Sequence, residues 1–229
     1  MIWLTNNPLQ LLGCHQISCH FDKAAYDDAE FAQRGLVLPE RLAGAVPKRK
    51  AEFLAGRYCV RLALKEMGED AGHNIGVGEQ RAPLWPNGLI GSITHSQGFA
   101  SAAIARDDLL RGIGIDSEQL IGEKTAANVA SHILVDSETY EANRALVDGP
   151  RQYLTLVFSA KESIFKCVYP QVKRYFDFRD AEIFLDPDNT GNFRFRLRKG
   201  LTKEFAEGYS GSGQYAIVDD FVHTAVVLR

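Results

Sequence analysis

Two segments of the chain carry carboxylates and lysines at spacings that favour a shared site. Asp116 and Glu118 stand two residues apart at the end of the run Gly-Ile-Gly-Ile-Asp-Ser-Glu. Residues i and i+2 of a β-strand point to the same face, so we expect both carboxylates to converge. Glu162 and Lys166 stand four apart in the run Phe-Ser-Ala-Lys-Glu-Ser-Ile-Phe-Lys, on one side of a predicted helix. Three carboxylates with neighbouring lysines suit a hard cation such as Mg²⁺ and a bound polyphosphate.

The helix predicted over residues 150–168 has a lysine within its apolar stripe. At 100° per residue, Lys161 falls in the middle of the stripe, Glu162 at its rim and Lys166 just beyond it. A lysine there is costly unless its ammonium reaches a partner or water. A plainer interpretation also fits, in which Lys161 extends to the surface and Glu162–Lys166 is a surface ion pair. The stripe consists of Leu154, Val157, Phe158, Phe165 and Val168.

One histidine stands where a strand is expected to end. His95 follows Thr94 in the run Gly-Ser-Ile-Thr-His-Ser. A single histidine is most often structural. At a strand end, however, it can donate a hydrogen bond to a phosphate oxygen, so His95 is a candidate anion ligand.

The composition is that of an ordinary globular protein. The 229 residues are 45% hydrophobic and 24% charged, which is enough for a packed core. A net charge of -3 argues against a general nucleic-acid binder, and no apolar run approaches the roughly 20 residues of a membrane helix. Four cysteines make no disulfide framework at this length, and no signal peptide is visible. We therefore expect a cytoplasmic protein with reduced thiols.

The elements that must position these residues divide into two groups. Pro47 precedes a helix predicted over residues 49–67, whose apolar stripe is bordered by Arg49 and Arg57. Gly56 inside that stripe indicates a close backbone approach. Ser-Gln-Gly then predicts a hairpin, continued as an antiparallel meander into the strand that ends at Asp116.

The second group begins near residue 110 and combines helices with strands. We expect helices over residues 125–133, 137–146 and 150–168, the last stopped by Pro170, and then strands. This order predicts an α+β protein of two halves. The predicted strands of the whole chain are 89–94, 99–105, 181–185, 193–198, 215–219 and 223–228.

The two acidic and basic runs resemble the signature motifs of 4′-phosphopantetheinyl transferases. The segments 49–57 and 83–96 look like the subgroup typified by enterobactin synthase component D, and all four motifs occur in the family's order. The resemblance spans roughly residues 45–170. It implies an α+β monomer of two similar α/β halves with pseudo-twofold symmetry and coenzyme A in the cleft between them. Residues 1–110 would bind the nucleotide end, and residues 111–229 would carry the magnesium and catalytic motifs.

The family's activity is the transfer of the 4′-phosphopantetheine arm of coenzyme A to a serine of an apo carrier protein, with release of adenosine 3′,5′-bisphosphate. The resemblance points to carriers of siderophore or non-ribosomal peptide, polyketide or related synthases. Asp116, Glu118 and Glu162 match the Mg²⁺ ligands. Glu162, Lys166 and Asp116 are the expected catalytic residues, with Glu162 as candidate base, directly or through water. The residues expected to hold coenzyme A are Arg49, Arg57, Arg81, Thr94, His95, Lys161 and Lys166.

Two other functions stay open from the residues alone. A magnesium-dependent nucleotide pyrophosphohydrolase would use the same carboxylates without a carrier. A binding module with an acidic strand end and a basic helix would need no metal. For the transferase, position and apolarity suggest that a carrier docks near residues 119–135, at Leu120, Ile121, Ile133 and Leu134.

Overall fold

A computed structural model of the protein describes residues 2–72 and 75–229. The chain forms two compact units, one of residues 1–111 together with Arg229 and one of residues 112–228. Both are mixed α/β structures, as the sequence predicts. The pseudo-twofold relation of the halves and their separate roles stay predictions.

The first unit packs a long helix against a four-stranded antiparallel sheet. The sheet has the order β1-β2-β6-β5, and β3 pairs with β4 in a separate two-stranded ribbon. The elements are β1 Ile2–Thr5, β2 His15–Phe21, α1 Ala29–Gln33, α2 Pro47–Glu66, β3 Gly76–Val77, β4 Pro83–Leu84, β5 Leu89–Ser96 and β6 Phe99–Arg106, with 3-10 turns at Glu40–Leu42 and Glu79–Arg81.

Small residues set the depth at which α2 lies on this sheet. Pro47 occupies the first turn, where its missing N–H costs nothing. A Cβ added to Gly56 would come within 2.9 Å of the Ile93 side chain on β5, which confirms the predicted close approach. The buried face is completed by Ala51, Ala55, Cys59, Val60, Ala63 and Leu64.

The second unit packs its own long helix against a five-stranded antiparallel sheet. The sheet has the order β7-β11-β10-β9-β8, and α5 lies against β7 and β11. The elements are β7 Gly112–Gln119, α3 Glu123–Ile133, α4 Tyr140–Asn143, α5 Pro150–Val172, β8 Ala181–Leu185, β9 Asn192–Leu197, β10 Ser210–Val218 and β11 Phe221–Leu228, with a 3-10 turn at Phe178–Asp180.

Two glycines of β7 allow α5 to lie directly on the strand backbone. A Cβ on Gly114 would meet the carbonyl oxygen of Ser163 at 1.8 Å, and one on Gly112 would meet that of Cys167 at 2.8 Å. Because side chains alternate along a strand, Asp116 shares this helix-facing side of β7. The glycines thus bring the acidic end of the strand against the helix that carries Glu162.

Of the two strand pairings predicted for β6, one is confirmed and one is wrong. The hairpin of β5 and β6 is confirmed, with Gln97 and Gly98 at positive φ in its two-residue turn. The continuation of the meander is wrong, because β7 pairs with β11 in the other sheet. Both edges of β6 are already occupied, by β2 and β5, so no edge is free for a third strand of a meander.

The helices after β7 also differ from prediction. Only Tyr140–Asn143 is helical within the predicted 137–146. Nearby, the Glu138 carboxylate accepts the Val135 N–H at 2.8 Å and fixes a turn. The α5 helix passes through Pro170 to Val172, since a proline in a last turn removes a single hydrogen bond.

The structure also describes the state of the cysteines and the character of the helices. All four cysteines are free thiols. Among the described helices, none combines the length and the apolar character that crossing a bilayer requires.

Candidate active site

The centre of the acidic cluster is Asp116, which is 3% exposed and lies within β7, since the strand continues to Gln119 and does not end at Asp116 as predicted. Its Oδ1 accepts a hydrogen bond from the Lys166 ammonium at 2.7 Å, and its Oδ2 accepts one from the Ser159 hydroxyl at 2.8 Å. The same ammonium donates to the Ile115 carbonyl oxygen at 3.1 Å. The strand and the helix are therefore joined at the predicted catalytic pair Asp116 and Lys166.

Hydroxyl groups of neighbouring residues hold the Asp116 carboxylate in place. The Thr224 Oγ1 on β11, opposite Asp116 in the sheet, lies 2.9 Å from the Ser159 Oγ and 2.7 Å from the Ser163 Oγ. The Ser163 hydroxyl also donates to the Thr224 carbonyl oxygen at 3.1 Å. These groups are buried and bonded to one another, so the orientation of Asp116 is fixed by the fold.

The charges of the cluster are coupled. Burial raises the pKa of Glu162, Lys166 opposes that rise, and the negative charge of Asp116 adds to it. Burial lowers the pKa of Lys166, but Asp116, Glu162 and Glu118 raise it by more, so the pKa lies above its ordinary value. The charges of three carboxylates thus act on the Lys166 ammonium, and carboxylates grouped in this way suit a further cation.

The three predicted ligands have side chains of the right chemistry for a magnesium ion, although the structure does not gather them around one point. Asp116, Glu118 and Glu162 offer only carboxylate oxygens, the ligands that Mg²⁺ prefers. Within residues 2–72 and 75–229, however, no three acidic, histidine or cysteine side chains converge closely enough to hold a metal. The Lys166 ammonium takes up one Asp116 oxygen at 2.7 Å. The magnesium triad stays a prediction.

A pocket of about 80 Å³ opens beside Glu162. One wall consists of aromatic rings, among which Phe165 and Phe176 lie with centroids 5.2 Å apart. A polar edge beside apolar walls suits a ligand with a charged end and a flexible, mostly apolar arm. The lining residues are Lys161, Glu162, Phe165, Tyr175, Phe176, Asp177, Phe178 and Ala181.

The structure places Lys161 differently from the prediction. The prediction assigns this lysine to the pyrophosphate, whereas its ammonium donates to the Glu138 carboxylate at 2.6 Å and to the Ile133 carbonyl oxygen at 2.7 Å. Both charged side chains are 1% exposed. The apolar position of Lys161 in the stripe is thus correct. The alternative in which the Lys161 side chain extends to the surface is wrong, because its partner Glu138 lies in the core.

In the first unit the structure brings Arg49 and His95 together. The Arg49 guanidinium donates to the His95 Nε2 at 2.9 Å, which requires the proton of a neutral imidazole to lie on Nδ1. Glu52 lies 3.5 Å from Arg49 and 3.7 Å from the His95 Nδ1. Arg49 and His95 stay about one-third exposed, so both can reach a ligand.

Arg57 forms the buried part of the same basic surface. Its guanidinium lies over the Phe53 ring, 4.8 Å from the centroid, and donates to the Gly76 carbonyl oxygen at 3.3 Å. The Nε has no hydrogen-bond partner among the described residues. Burial lowers the pKa of Arg57 to about 10, and the positive charges of Arg41 and Arg49 contribute to this decrease. Such a group favours a bound anion.

Two other predicted ligands do not join this cluster. Thr94 is buried, and the alternation of β5 places it on the opposite face from His95. Arg81 is exposed in a 3-10 turn, and within the described residues it makes no hydrogen bond or ion pair. Their roles as coenzyme A ligands stay predictions, and the geometry supports them less than the others.

Four residues that contact the predicted site residues or lie beside them were not predicted from the sequence. Ser159 lies seven residues before Lys166, so polar residues at helical spacing could have revealed it. Arg41, whose guanidinium lies 5.4 Å from the Phe53 ring centroid, precedes α2 without a recognisable motif. Glu138 and Thr224 are distant in sequence from the α5 residues that they contact, and no local sequence pattern predicts these contacts.

The proposed carrier-docking residues are mostly used by the second unit itself. Ile133 is buried, and Leu120, Ile121 and Leu134 pack against the hydrophobic core of that unit. Their apolarity is explained by these contacts with the core. The suggestion that these four side chains meet a carrier helix is therefore not supported.

Comparisons with known proteins match nearly the whole chain. Residues 38–105 match the model of the 4′-phosphopantetheinyl transferase N-terminal domain, and residues 112–225 match that of the 4′-phosphopantetheinyl transferase superfamily. The transferase PptT of Mycobacterium tuberculosis is 33% identical over 91% of this chain and 93% of its own length. The transferase Svp of Streptomyces mobaraensis is 39% identical over 76% and 70%. Enterobactin synthase component D of Salmonella typhimurium is 41% identical over 64% and 61%.

Proposed function

The chain belongs to the 4′-phosphopantetheinyl transferase superfamily, and we propose that Asp116, Glu118 and Glu162 serve its reaction as magnesium ligands. The enzyme transfers the 4′-phosphopantetheine arm of coenzyme A to a serine hydroxyl of a carrier protein. The serine oxygen forms a bond to the β-phosphorus, the bond from that phosphorus to the bridging oxygen breaks, and adenosine 3′,5′-bisphosphate leaves.

The observation that carries this assignment is the Asp116–Lys166 pair, held where α5 lies on β7. The Lys166 side chain is 26% exposed while its ammonium is 2.7 Å from Asp116, so it can also meet a pyrophosphate oxygen. Its raised pKa, set by Asp116 and Glu162 against burial, keeps it charged at neutral pH. A bound magnesium ion would neutralise the charge that develops on the leaving bisphosphate. Lys166 adds positive charge at the same place.

Glu162 is the residue best suited to accept the proton of the serine hydroxyl. Its pKa is raised by burial and by Asp116, against the opposing effect of Lys166. A raised pKa makes a carboxylate a stronger base. The proton would move from the serine Oγ to a Glu162 oxygen, directly or through a water molecule.

The basic cluster of the first unit suits the nucleotide end of coenzyme A. Arg49 and His95 offer donors that are partly exposed and already hydrogen-bonded to each other at 2.9 Å. Arg57 supplies a buried guanidinium whose Nε lacks a partner among the described residues, and Arg41 adds charge beside it. Phosphate oxygens would satisfy these donors.

The pocket beside Glu162 suits part of the pantetheine arm. Its aromatic wall can pack against the methylene and methyl groups of that arm. An arm in this pocket would place the phosphate at its end beside Glu162 and Lys166.

The carrier class and the cellular setting extend the proposal. The enterobactin synthase relatives favour carriers of siderophore or other non-ribosomal peptide synthases, with polyketide and related synthases as further candidates. We propose a monomeric enzyme of the reducing cytoplasm, where four unpaired thiols are stable.

The decisive experiment combines the protein with coenzyme A, Mg²⁺ and a panel of apo carriers, and measures carrier mass by mass spectrometry. Glu162→Gln should lower the turnover number by about 10³-fold, because it removes both a metal ligand and the base. Glu141→Gln, at a carboxylate 78% exposed on α4, is the matched control and should retain wild-type turnover.

Three outcomes would contradict the proposal. Near-normal turnover of Glu162→Gln would remove its role. Full carrier labelling in the presence of a chelator would remove the metal. Hydrolysis of coenzyme A without any carrier, and no labelling with one, would favour the nucleotide pyrophosphohydrolase.

A further inference from the structure

A buried ion pair lies beside the proposed active site. The Lys161 ammonium and the Glu138 carboxylate are 2.6 Å apart, and each side chain is 1% exposed. The two residues are separated by 23 positions, so the pair joins α5 to the segment that follows α3. An ion pair removed from water in this way needs further hydrogen bonds to be tolerated.

Those hydrogen bonds connect three parts of the second unit. The Glu138 Oε1 accepts the Ile183 N–H of β8 at 2.7 Å, and its Oε2 accepts the Val135 N–H at 2.8 Å. The Lys161 ammonium donates to the Ile133 carbonyl oxygen at the end of α3 at 2.7 Å. Helix α5, strand β8 and the end of α3 are therefore fixed to one another through two side chains.

The pair lies next to the residue on which the reaction depends. Lys161 directly precedes Glu162, and both line the pocket together with Ala181, the first residue of β8. Further along the helix, Lys166 is held by Asp116 at 2.7 Å. Glu162 thus lies between two attachments of α5, one to β7 and one to β8.

We propose that the Lys161–Glu138 pair is a positioning device for the transfer reaction. The pair fixes the rotation of α5 about its axis, and so places the Glu162 carboxylate and the pocket wall relative to the substrate. Lys161 and Glu138 are then positioning residues, whose charged groups bond to the protein and not to coenzyme A or the carrier. This inference rests on the proposed function of Glu162.

The geometry of a helix makes the effect large. A side-chain atom lies about 5–6 Å from the helix axis, so a rotation of about 10° moves it by about 1 Å. A displacement of about 1 Å in a catalytic group can lower a rate by about 10²-fold. Loss of the pair is therefore expected to lower the turnover number by about 30- to 100-fold while the protein remains folded.

A direct role of Lys161 on the substrate accounts for the structure less well. Two of its three N–H donors are already used inside the core, at 2.6 and 2.7 Å. Its burial contrasts with Lys166, whose side chain is 26% exposed at the acidic cluster. Movement of Lys161 toward a phosphate would leave the Glu138 carboxylate charged and buried.

The test compares Lys161→Met, Glu138→Gln and the double variant that carries both changes. Met matches the unbranched stem of lysine, and Gln keeps an oxygen that accepts a backbone N–H. The double variant buries no charge, so it should fold even where a single variant does not. Lys203→Met, at an exposed position after β9, is the control for lysine removal.

Two measurements separate positioning from stability, both made below the unfolding temperature of each variant. Steady-state carrier labelling should show the turnover number of each single variant reduced 30- to 100-fold, with the KM for coenzyme A changed less than threefold. The double variant should recover at least tenfold over Lys161→Met. Calorimetry with Mg²⁺, in the presence of adenosine 3′,5′-bisphosphate, should show affinity weakened at least threefold in Glu138→Gln, although Glu138 is too buried to be a ligand.

Two results would overturn the inference. If the double variant stays as slow as Lys161→Met while Glu138→Gln turns over normally, the ammonium acts on the substrate itself. If all three variants keep wild-type turnover and Mg²⁺ affinity while folded, the pair only stabilises the unit. A wild-type protein that labels no carrier would instead disprove the proposed function, and the calorimetric comparison would still report on the pair.

Discussion

Two lysines of α5 make the same kind of contact and have opposite surroundings. Lys161 and Lys166 each donate to a carboxylate, at 2.6 and 2.7 Å, but their side chains are 1% and 26% exposed. Burial lowers the pKa of Lys161 by more than Glu138 raises it. Burial also lowers the pKa of Lys166, but Asp116 and Glu162 raise it by more. The distance of an ion pair therefore does not reveal its role.

The difference lies in how many carboxylates act on each ammonium. On the Glu138 side, one carboxylate meets one ammonium and two backbone N–H groups, so the pair is closed. On the Asp116 side, one ammonium faces Asp116, Glu162 and Glu118. A closed pair holds elements of the fold together, whereas a group of several carboxylates can attract a cation and take part in chemistry.

Removing each lysine in turn and measuring the free energy of unfolding in urea tests this difference most directly. Lys161→Met should lower it by about 3–5 kcal/mol, because the buried Glu138 carboxylate loses the ammonium that neutralises it. Lys166→Met should lower it by about 1–2 kcal/mol, since Asp116 keeps the Ser159 hydroxyl at 2.8 Å. Equal losses would mean that the two sites do not differ. Lys124→Met, at an exposed position, should stay within about 0.5 kcal/mol of wild type.

Sequence reasoning succeeded where the decisive interactions are local. The turn at Gln97 and Gly98, the start of α2 at Pro47 and the buried place of Lys161 all follow from short-range patterns. The glycine at position 56 also indicated its contact correctly, because glycine destabilises a helix interior and is favoured there mainly where a neighbouring element packs closely.

The rest depends on contacts that sequence separation hides. A buried lysine predicts that some carboxylate must meet it, but nothing in the sequence selects Glu138 from the other acidic residues. The pairing of β7 with β11 joins residues more than 100 positions apart, such as Ser117 and His223. The short α4 has the same cause, because the tertiary bonds of Glu138 override a helical pattern.

Ser159→Ala tests how far the reaction depends on the hydrogen bond that holds the Asp116 carboxylate. Its hydroxyl is the link between Asp116 and Thr224, at 2.8 and 2.9 Å. Losing a buried hydrogen bond to a carboxylate should cost about 1.5–2 kcal/mol of unfolding free energy, and a looser Asp116 should slow carrier labelling about 5- to 10-fold.

Ser163→Ala is the matched control for that change. Ser163 bonds to Thr224 but not to Asp116, so its loss should destabilise the unit similarly and slow labelling less. If Ser163→Ala slows labelling as much as Ser159→Ala, the effect of Ser159 does not pass through Asp116.

The smallest expected effect concerns the pH dependence of stability in the metal-free protein. Burial and Asp116 raise the pKa of Glu162 above its ordinary 4.5, against Lys166. Between that value and the raised pKa, the folded protein holds more protons than the unfolded chain. The stability contribution is therefore complete below pH 4.5 and is lost as the pH rises through the raised pKa. One proton limits the slope to about 1.4 kcal/mol per pH unit.

Urea unfolding of wild type and Glu162→Gln across this pH range isolates the contribution of Glu162, since the other carboxyls are common to both proteins. The wild type should lose stability relative to Glu162→Gln as the pH rises, and Mg²⁺ should reduce the loss by favouring the ionised carboxylate. If the difference in unfolding free energy between the two proteins does not change with pH, the pKa of Glu162 is not raised and its carboxyl group titrates as it would in water. A difference that grows in favour of the wild type would mean that the positive charge of Lys166 outweighs burial and Asp116. In that case the Asp116 side would be a closed pair like the Glu138 side, and its group of carboxylates would no longer explain why a cation would bind there.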